Sequence, residues 1–345
     1  MKYFVLTTRG LEDVALQEIN ETIGKVKIIS KEYRRIVFDY EDEPKNLLNL
    51  KCVDDIFIFL KTFKVDHYRT SLKNLVHEID KIDFKRIIKF LSGVRLFGKE
   101  ITFAITVSNI GKKNYMPTEI KELLTSLFIK KYKWKLDNLN YQNMNIRIYI
   151  EHDFVLVGLR LGNHPLHRRG YKTETLPGSL KASVANCLLR IAKVKKDDIV
   201  LDPMCGVGTI PIEAVSFGSR VIAGDIDKHA LQIAKKNSNN ARANIEFYEG
   251  DARNLHLENK SVDKIVSNLP FDRQIKFKTD IKKFLEELFE ECNRILKDDG
   301  KIFFLSIHKE IIENALSKST KLKIADCKEI SLFGLKPCVI EIQKI

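Results

Sequence analysis

The alternation of apolar and polar positions divides the chain into two regimes. Residues 2–9 read as a strand, 11–23 as an amphipathic helix, and 26–29, 35–40 and 56–62 as further strands, with a short helix before the last. From about residue 65 the pattern gives two helices at 72–79 and 84–91, then a strand at 101–107. A helix at 117–132 follows with Pro117 at its start, and then two strands at 145–151 and 154–161 that form a hairpin around His152-Asp153. Residues 161–178 carry His, Pro, Arg and Gly without apolar periodicity, which is the composition of a linker. A helix at 179–192 then opens a second regime of alternating elements: 199–202, 209–217, 221–225, 228–239, 245–249, 264–268, 281–296 and 301–306, a shorter helix, and two final strands at 322–329 and 338–342. This order predicts a doubly wound α/β sheet with an antiparallel last strand, in which ligands bind at the carboxyl ends of the strands.

Composition refines the picture. A chain of 345 residues has room for two or three domains, and 44% hydrophobic with 30% charged residues describes an ordinary soluble protein. The net charge of +13, roughly two-thirds of it before residue 170, favours an anionic partner held by the N-terminal half. No segment reaches the roughly 18 apolar residues of a membrane span, and Arg9 and Glu12 interrupt the apolar start, so a cytoplasmic protein is expected. The six cysteines lie scattered without a CxxC, and His164-Pro-Leu-His167 has no further ligands nearby; neither a disulfide framework nor a metal is expected. Lys130, Lys131 and Lys133, interleaved with Tyr132 and Trp134, fit a surface that tracks phosphates and stacks a base, and fit equally a solvated helix end. Lys112-Lys113-Asn114-Tyr115 is similar. Arg168 and Arg169, beside Tyr171, suit either RNA or the docking of two domains.

The candidate chemistry sits at successive strand ends. Asp202-Pro-Met-Cys-Gly206-Val-Gly208-Thr209 supplies glycines for close backbone approach to a ligand and a strand-end carboxylate, while Pro211 stands where a dinucleotide fingerprint needs a third glycine. Asp225 ends the next strand, where a carboxylate accepts ribose hydroxyls, and Asp227 suits the cap of the following helix. Asp251-Ala252 follows the third strand. Asn268-Leu269-Pro270-Phe271 follows the fourth, with an amide oxygen and an aromatic face suited to a flat molecule bearing an amino group.

Taken together, the glycine turn and the strand-end acids resemble class I S-adenosylmethionine-dependent methyltransferases. In that group Gly206, Gly208, Asp202, Asp225, Asp251 and Ala252 stand where the cofactor is held, with Asp251-Ala252 at the position of the adenine amine. Asn268-Leu-Pro-Phe resembles the Asn/Asp-Pro-Pro-Tyr/Phe class of amino methyltransferases. The succession Phe103-Ala-Ile-Thr-Val, Glu119-Ile120, Ile146-Arg-Ile-Tyr-Ile and Val155 to Leu161, closed by Arg168-Arg169-Gly170-Tyr171, resembles a THUMP domain, although Tyr141-Gln-Asn-Met-Asn145 stands where a Pro-Asp is usual. Thr8-Arg9-Gly10-Leu11-Glu12 resembles the opening of the ferredoxin-like domain found ahead of RNA-modification modules.

The whole chain resembles the THUMP-containing tRNA guanine-N2 methyltransferases that act at position 6 of the acceptor stem. The resemblance implies a ferredoxin-like domain at 1–62, a THUMP domain at 63–161, a linker at 162–178 and a Rossmann-like methyltransferase domain at 179–345. It further implies a monomer that binds tRNA and uses S-adenosylmethionine without a metal. The Asn268 oxygen and the Leu269 or Pro270 carbonyl would accept the two N–H bonds of an exocyclic amine, and Phe271 would stack on the extruded base. Rival readings are guanine N2 at tRNA position 10, a ribosomal guanine, an adenine N6, or a non-catalytic RNA-binding protein with a methyltransferase-like fold. Asp272, where the family often has Gly, has no assigned role.

Overall fold

Chain contacts separate two units, Met1–Thr7 with Glu18–Leu166 and Thr8–Gln17 with His167–Ile345. The structure, a computed structural model, describes residues 1–137, 143–271, 281–317, 321–332 and 334–345. Asp272, Tyr141 and Gln142 lie outside the described residues.

In the first unit the strands are β1 (Lys2–Leu6), β2 (Lys27–Glu32), β3 (Arg35–Asp39), β4 (Asp55–Lys64), β5 (Thr102–Ile110), β6 (Lys135–Leu136), β7 (Met144–Glu151) and β8 (Phe154–Arg160). Its helices are α2 (Ser71–Asp80), α3 (Phe84–Leu91) and α4 (Pro117–Tyr132), while α1 (Glu12–Thr22) is divided between the units. The strands form one eight-stranded sheet in the order β2-β3-β1-β4-β8-β7-β5-β6. The strands expected in the ferredoxin-like and THUMP regions therefore share a sheet, joined where β4 pairs antiparallel with β8, Phe57 opposite Arg160 and Phe63 opposite Val155. Phe4 stacks on Phe57 with ring centroids 5.0 Å apart on this sheet.

Local chemistry sets the helix limits. Pro117 occupies the first turn of α4, Glu119 returns its carboxylate to the Met116 N–H at 2.8 Å, and Lys133 caps the far end in the left-handed region at φ 60°. That cap turns Trp134 inward, 6% exposed, where it stacks on Tyr132 at 4.7 Å and meets Phe84, Phe103 and Phe128. An indole so enclosed is part of a core; it does not offer a face for a base.

The second unit contains α5 (Ala182–Ile191), β9 (Ile199–Asp202), α6 (Thr209–Val215), β10 (Arg220–Asp225), α7 (Lys228–Ala241), β11 (Glu246–Glu249), β12 (Val262–Asn268), α8 (Ile281–Ile295), β13 (Leu296–Ser306), α9 (Lys309–Leu316), β14 (Leu322–Glu329) and β15 (Cys338–Lys344). Its sheet runs β11-β10-β9-β12-β13-β15-β14. β11, β10, β9, β12 and β13 are parallel neighbours, and β15 inserts antiparallel to both β13 and β14. The expected doubly wound sheet is present, with a Rossmann-like architecture. β13 begins five residues before the expected 301 because its pairing with β12 continues across a register shift, with Val262 opposite Leu296 and Lys264 opposite Lys301. A side chain at Gly300 would come within 2.7 Å of the Leu296 side chain, which would have to shift to admit it.

The parallel arrangement places the carboxyl ends of β9, β10, β11 and β12 side by side. The core beneath them is aliphatic: Leu201, Ile222, Ile265, Leu288 and Ile302 are all buried. Burial at about 25 cal/mol per Å² of apolar area makes this the stable platform on which the polar strand ends are displayed.

Candidate active site

At the end of β9 the chain turns through Pro203 to Gly208 into α6. Cys205 N–H donates to the Gly224 carbonyl at 2.8 Å, which ties the turn to β10. Gly206 and Gly208 have φ of 53° and 82°. A methyl group at Gly208 would press on Ala234 of α7 at 3.1 Å, whereas one at Gly206 would meet nothing within 4 Å. Gly208 thus serves helix packing, and Gly206 leaves open space above the backbone.

Asp225 connects this turn to the next strand. One carboxylate oxygen accepts the Gly206 N–H at 2.7 Å and the other accepts the Asp227 N–H at 2.9 Å. Each oxygen retains a further lone pair, so the carboxylate is fixed and still free to accept hydroxyl donors. Asp227 caps α7 through the His229 and Ala230 N–H groups. Burial raises the Asp225 pKa despite those bonds.

Asp202 is more deeply enclosed. Its carboxylate accepts the Ser267 hydroxyl at 2.7 Å and the Met204 N–H at 3.3 Å, which joins the end of β9 to the end of β12. Burial pushes its pKa to about 7, against the lowering effect of those two bonds. Relative to an unfolded value of about 3.9, the folded state then retains a proton as pH rises, so the favourable contribution is complete below about pH 4 and is lost through about pH 7. The stability of the native protein relative to Asp202→Asn is expected to fall by about 2–4 kcal/mol over that window. Chemical denaturation of both proteins near pH 5 and near pH 8 measures this; a difference that does not change with pH contradicts it.

Asn268 closes β12 opposite Leu305, and the Leu269 N–H donates to the Leu305 carbonyl at 3.0 Å. Leu269 is buried, and Pro270 and Phe271 are half-buried. The Asn268 side-chain oxygen is buried with no hydrogen-bond partner among the described residues. Leaving such an acceptor unmet costs about 1–3 kcal/mol, a cost a ligand's donor removes. The hydroxyls of Thr209, at the start of α6, and of Tyr248, at the end of β11, are likewise buried without partners among the described residues. The Tyr248 ring lies over Gly224, where a side chain would come within 2.0 Å of it.

Asp251 follows β11, where the Gly250 N–H reaches the Asp225 carbonyl at 3.2 Å. Arg253 grips its carboxylate, with Nε 3.0 and 3.1 Å from the two oxygens and Nη2 2.6 Å from one. Ala252 is buried in the core beneath. Asp202, Gly206, Asp225 and Asn268 are thus connected through backbone and Ser267, while Asp251 joins through the β10–β11 pairing.

The candidate RNA contacts divide. Lys130 and Arg168 are exposed, and Lys133 is the exposed cap of α4. Lys131 is held by the Asp80 carboxylate at 2.5 Å and by its carbonyl. Arg169 turns to Glu213 of α6 at 3.1 Å, where the Tyr171 hydroxyl donates at 2.9 Å and the Asn186 amide at 3.0 Å. Asn237 of α7, fully buried, accepts the Thr173 N–H at 3.2 Å and donates to the Val207 carbonyl at 3.1 Å. Residues 169–174 are therefore sewn to the glycine turn. Lys113 and Tyr115 bond to the Asp66 carbonyl. Among the described residues, no group of three or more His, Cys, Asp or Glu is placed to hold a metal ion.

Sequence reasoning missed Ser267, Arg253, Asn237 and Glu213. Ser267 left a signal as a hydroxyl within the apolar run Ile265-Val266. The partners of the others are distant in sequence, apart from the Asp251–Arg253 pair.

Residues 169–332 match the family model described as RMKL-like, methyltransferase domain. The chain is 26% identical over 368 residues to a tRNA (guanine(6)-N2)-methyltransferase of Methanocaldococcus jannaschii, covering 92% of this chain and 94% of the relative. It is 29% identical over 234 residues to the tRNA (guanine(6)-N(2))-methyltransferase THUMP3 of Bos taurus, covering 63% of this chain and 46% of the relative. The crystal structure of TrmN from Thermus thermophilus has the same fold, with a TM-score of 0.83 at 22% identity over 100% of this chain and 99% of that one. A Rossmann-like sheet with its polar groups at the strand ends, matched by a methyltransferase family model, makes this chain a methyltransferase whose cofactor is S-adenosylmethionine.

Proposed function

We propose that this enzyme methylates the exocyclic N2 of a guanosine in tRNA, at position 6 of the acceptor stem. The observation that carries the reading is the buried, unmet Asn268 oxygen at the end of β12, coupled through neighbouring Ser267 to Asp202. The relatives named above supply the substrate class.

The residues present fit the cofactor. Gly206 has open space above its backbone, Asp225 keeps lone pairs for two ribose hydroxyls, and Asp251-Ala252 suits an adenine edge. When bound, S-adenosylmethionine supplies a methyl group on a sulfonium, an electrophile. The rest is the work of the chain. An exocyclic amine has its lone pair delocalised into the ring and is a poor nucleophile. The Asn268 oxygen and the Leu269 or Pro270 carbonyl accept its two N–H bonds, orient the lone pair and favour the positive charge that develops on nitrogen. Asn268 takes no proton near neutral pH, so it positions the amine and does not act as a base. As the N–C bond replaces the sulfonium S–C bond, the thioether S-adenosylhomocysteine would leave and the proton shed by the amine would pass to solvent. Phe271 stacks on the extruded base and offsets a few kcal/mol of unpairing.

In this reading the ferredoxin-like and THUMP regions hold the tRNA, with Lys130, Lys133 and Arg168 among the phosphate contacts, and a monomer works in the cytoplasm. The test is to incubate the protein with labelled S-adenosylmethionine and an unmodified tRNA pool and then map the modified nucleosides. N2-methylguanosine at position 6 is the expected product. Absence of any methylated guanosine across the pool would sink the substrate assignment, and N6-methyladenosine would replace it.

A further inference from the structure

We propose that Arg253 is a positioning residue for the cofactor's purine: it holds Asp251 by both oxygens, braces itself on α8, and so fixes the acceptor that the 6-amino group meets. This rests on the reading that Asp251 receives that amine.

The geometry is that of a clamp. The Arg253 backbone N–H reaches the same carboxylate at 3.0 Å, in addition to the three guanidinium contacts. The free arm of the guanidinium, Nη1, donates to Glu287 of α8 at 2.7 Å, and the Phe284 ring lies 5.7 Å from the guanidinium carbon. A second arginine repeats the device further along the turn. Arg294 donates to the Leu255 and Leu257 carbonyls at 2.9 and 2.8 Å, while Glu291 accepts the Leu255 N–H at 2.6 Å. The segment after β11 is thereby fastened to α8 at both ends.

Magnitudes favour orientation over stability as the purpose of this clamp. The Arg253 and Asp251 side chains are 31% and 30% exposed, and pairs open to solvent to that degree contribute little to folding. A planar guanidinium nevertheless fixes a carboxylate plane in a way one point charge cannot. Three donors meet the Asp251 carboxylate, the Arg253 backbone N–H, the Nε–H shared between both oxygens and an Nη2–H, against about four lone-pair sites, so one amine donor is accommodated. Arg253 also holds the Asp251 pKa below the usual carboxylate range, first through the hydrogen bonds, so the acceptor stays charged at neutral pH.

The test is calorimetric titration of the full chain with S-adenosylhomocysteine and with the analogue whose purine lacks the 6-amino group. The native protein is expected to prefer the amine-bearing ligand about tenfold, the discrimination given by one well-placed polar contact. Arg253→Ala is expected to reduce that preference to about twofold or less, with affinity for the deaminated analogue changed less than about twofold, and Arg253→Lys to restore part of it. If Arg253→Ala weakens both ligands equally, the residue is merely structural and the proposal is overturned. Asp251→Ala separates the two levels. Loss of the preference in Asp251→Ala but not in Arg253→Ala overturns the clamp and keeps the reading of Asp251; retention of the preference in Asp251→Ala overturns both.

Discussion

Asn268→Ala is expected to lower kcat by about 10²–10³-fold or more while leaving the Kd for S-adenosylhomocysteine within about threefold of the native value. The first effect follows from the role given to the amide. A buried oxygen without a partner among the described residues is an acceptor held ready, and in the proposed reaction it would favour a transition state whose nitrogen gains positive charge. The second follows from the fold, because the cofactor contacts assigned here lie at the ends of β9, β10 and β11, whereas Asn268 ends β12. Single-turnover methyl transfer and calorimetry on the same protein separate the two quantities. A large loss of cofactor affinity would place Asn268 in the cofactor pocket and remove the argument for an amine clamp.

Glu213→Ala is expected to destabilise the C-terminal unit by about 3–5 kcal/mol, the range for removing one member of a buried ionic network. The carboxylate is 4% exposed and is the shared acceptor for Arg169, Tyr171 and Asn186, two of them in the segment leading into the domain and one on α5. Removing it takes from the Arg169 charge its carboxylate and leaves a void beside the glycine turn. Glu213→Gln retains an acceptor and is expected to lose less. The single tryptophan, Trp134, belongs to the N-terminal unit, so its fluorescence reports that unit, while far-ultraviolet circular dichroism also follows the C-terminal one. The circular dichroism transition should move to lower denaturant concentration while the fluorescence transition stays in place. A shift below about 1 kcal/mol would show that the network is dispensable.

Sequence and structure agree where the signal is local. The helix at 84–91 and the helix at 117–132 have the same limits in the structure because Asp83 caps one and Pro117 opens the other, and both cues sit beside the helix they define. The strand-end motifs were legible for the same reason, since Asp202, Gly206, Asp225 and Asn268 each follow a short apolar run. What was hidden depends on partners far along the chain. Nothing near Phe57 announces that it pairs with Arg160, so the sharing of one sheet by the N-terminal strands had no local mark. Trp134, surrounded by lysines in sequence, gave the pattern of a nucleic-acid surface, and only the left-handed cap at Lys133 turns it into the aromatic core. Arg169 suited RNA or docking on its charge alone; Glu213, forty-four positions away, is its partner. Arg253 is an exception of a different kind. It lies two residues from Asp251, yet its purpose depends on Glu287 across on α8.

The central claim is that Asn268, at the end of β12, presents an acceptor to an exocyclic amine on guanine. The most direct measurement is single-turnover methylation of two tRNA transcripts that differ only at position 6, one with guanosine and one with inosine, which lacks the 2-amino group. Methyl incorporation at that nucleotide with guanosine and none with inosine is the predicted result. Equal incorporation into both transcripts would contradict the account, because the methyl group would then be going to an atom other than N2.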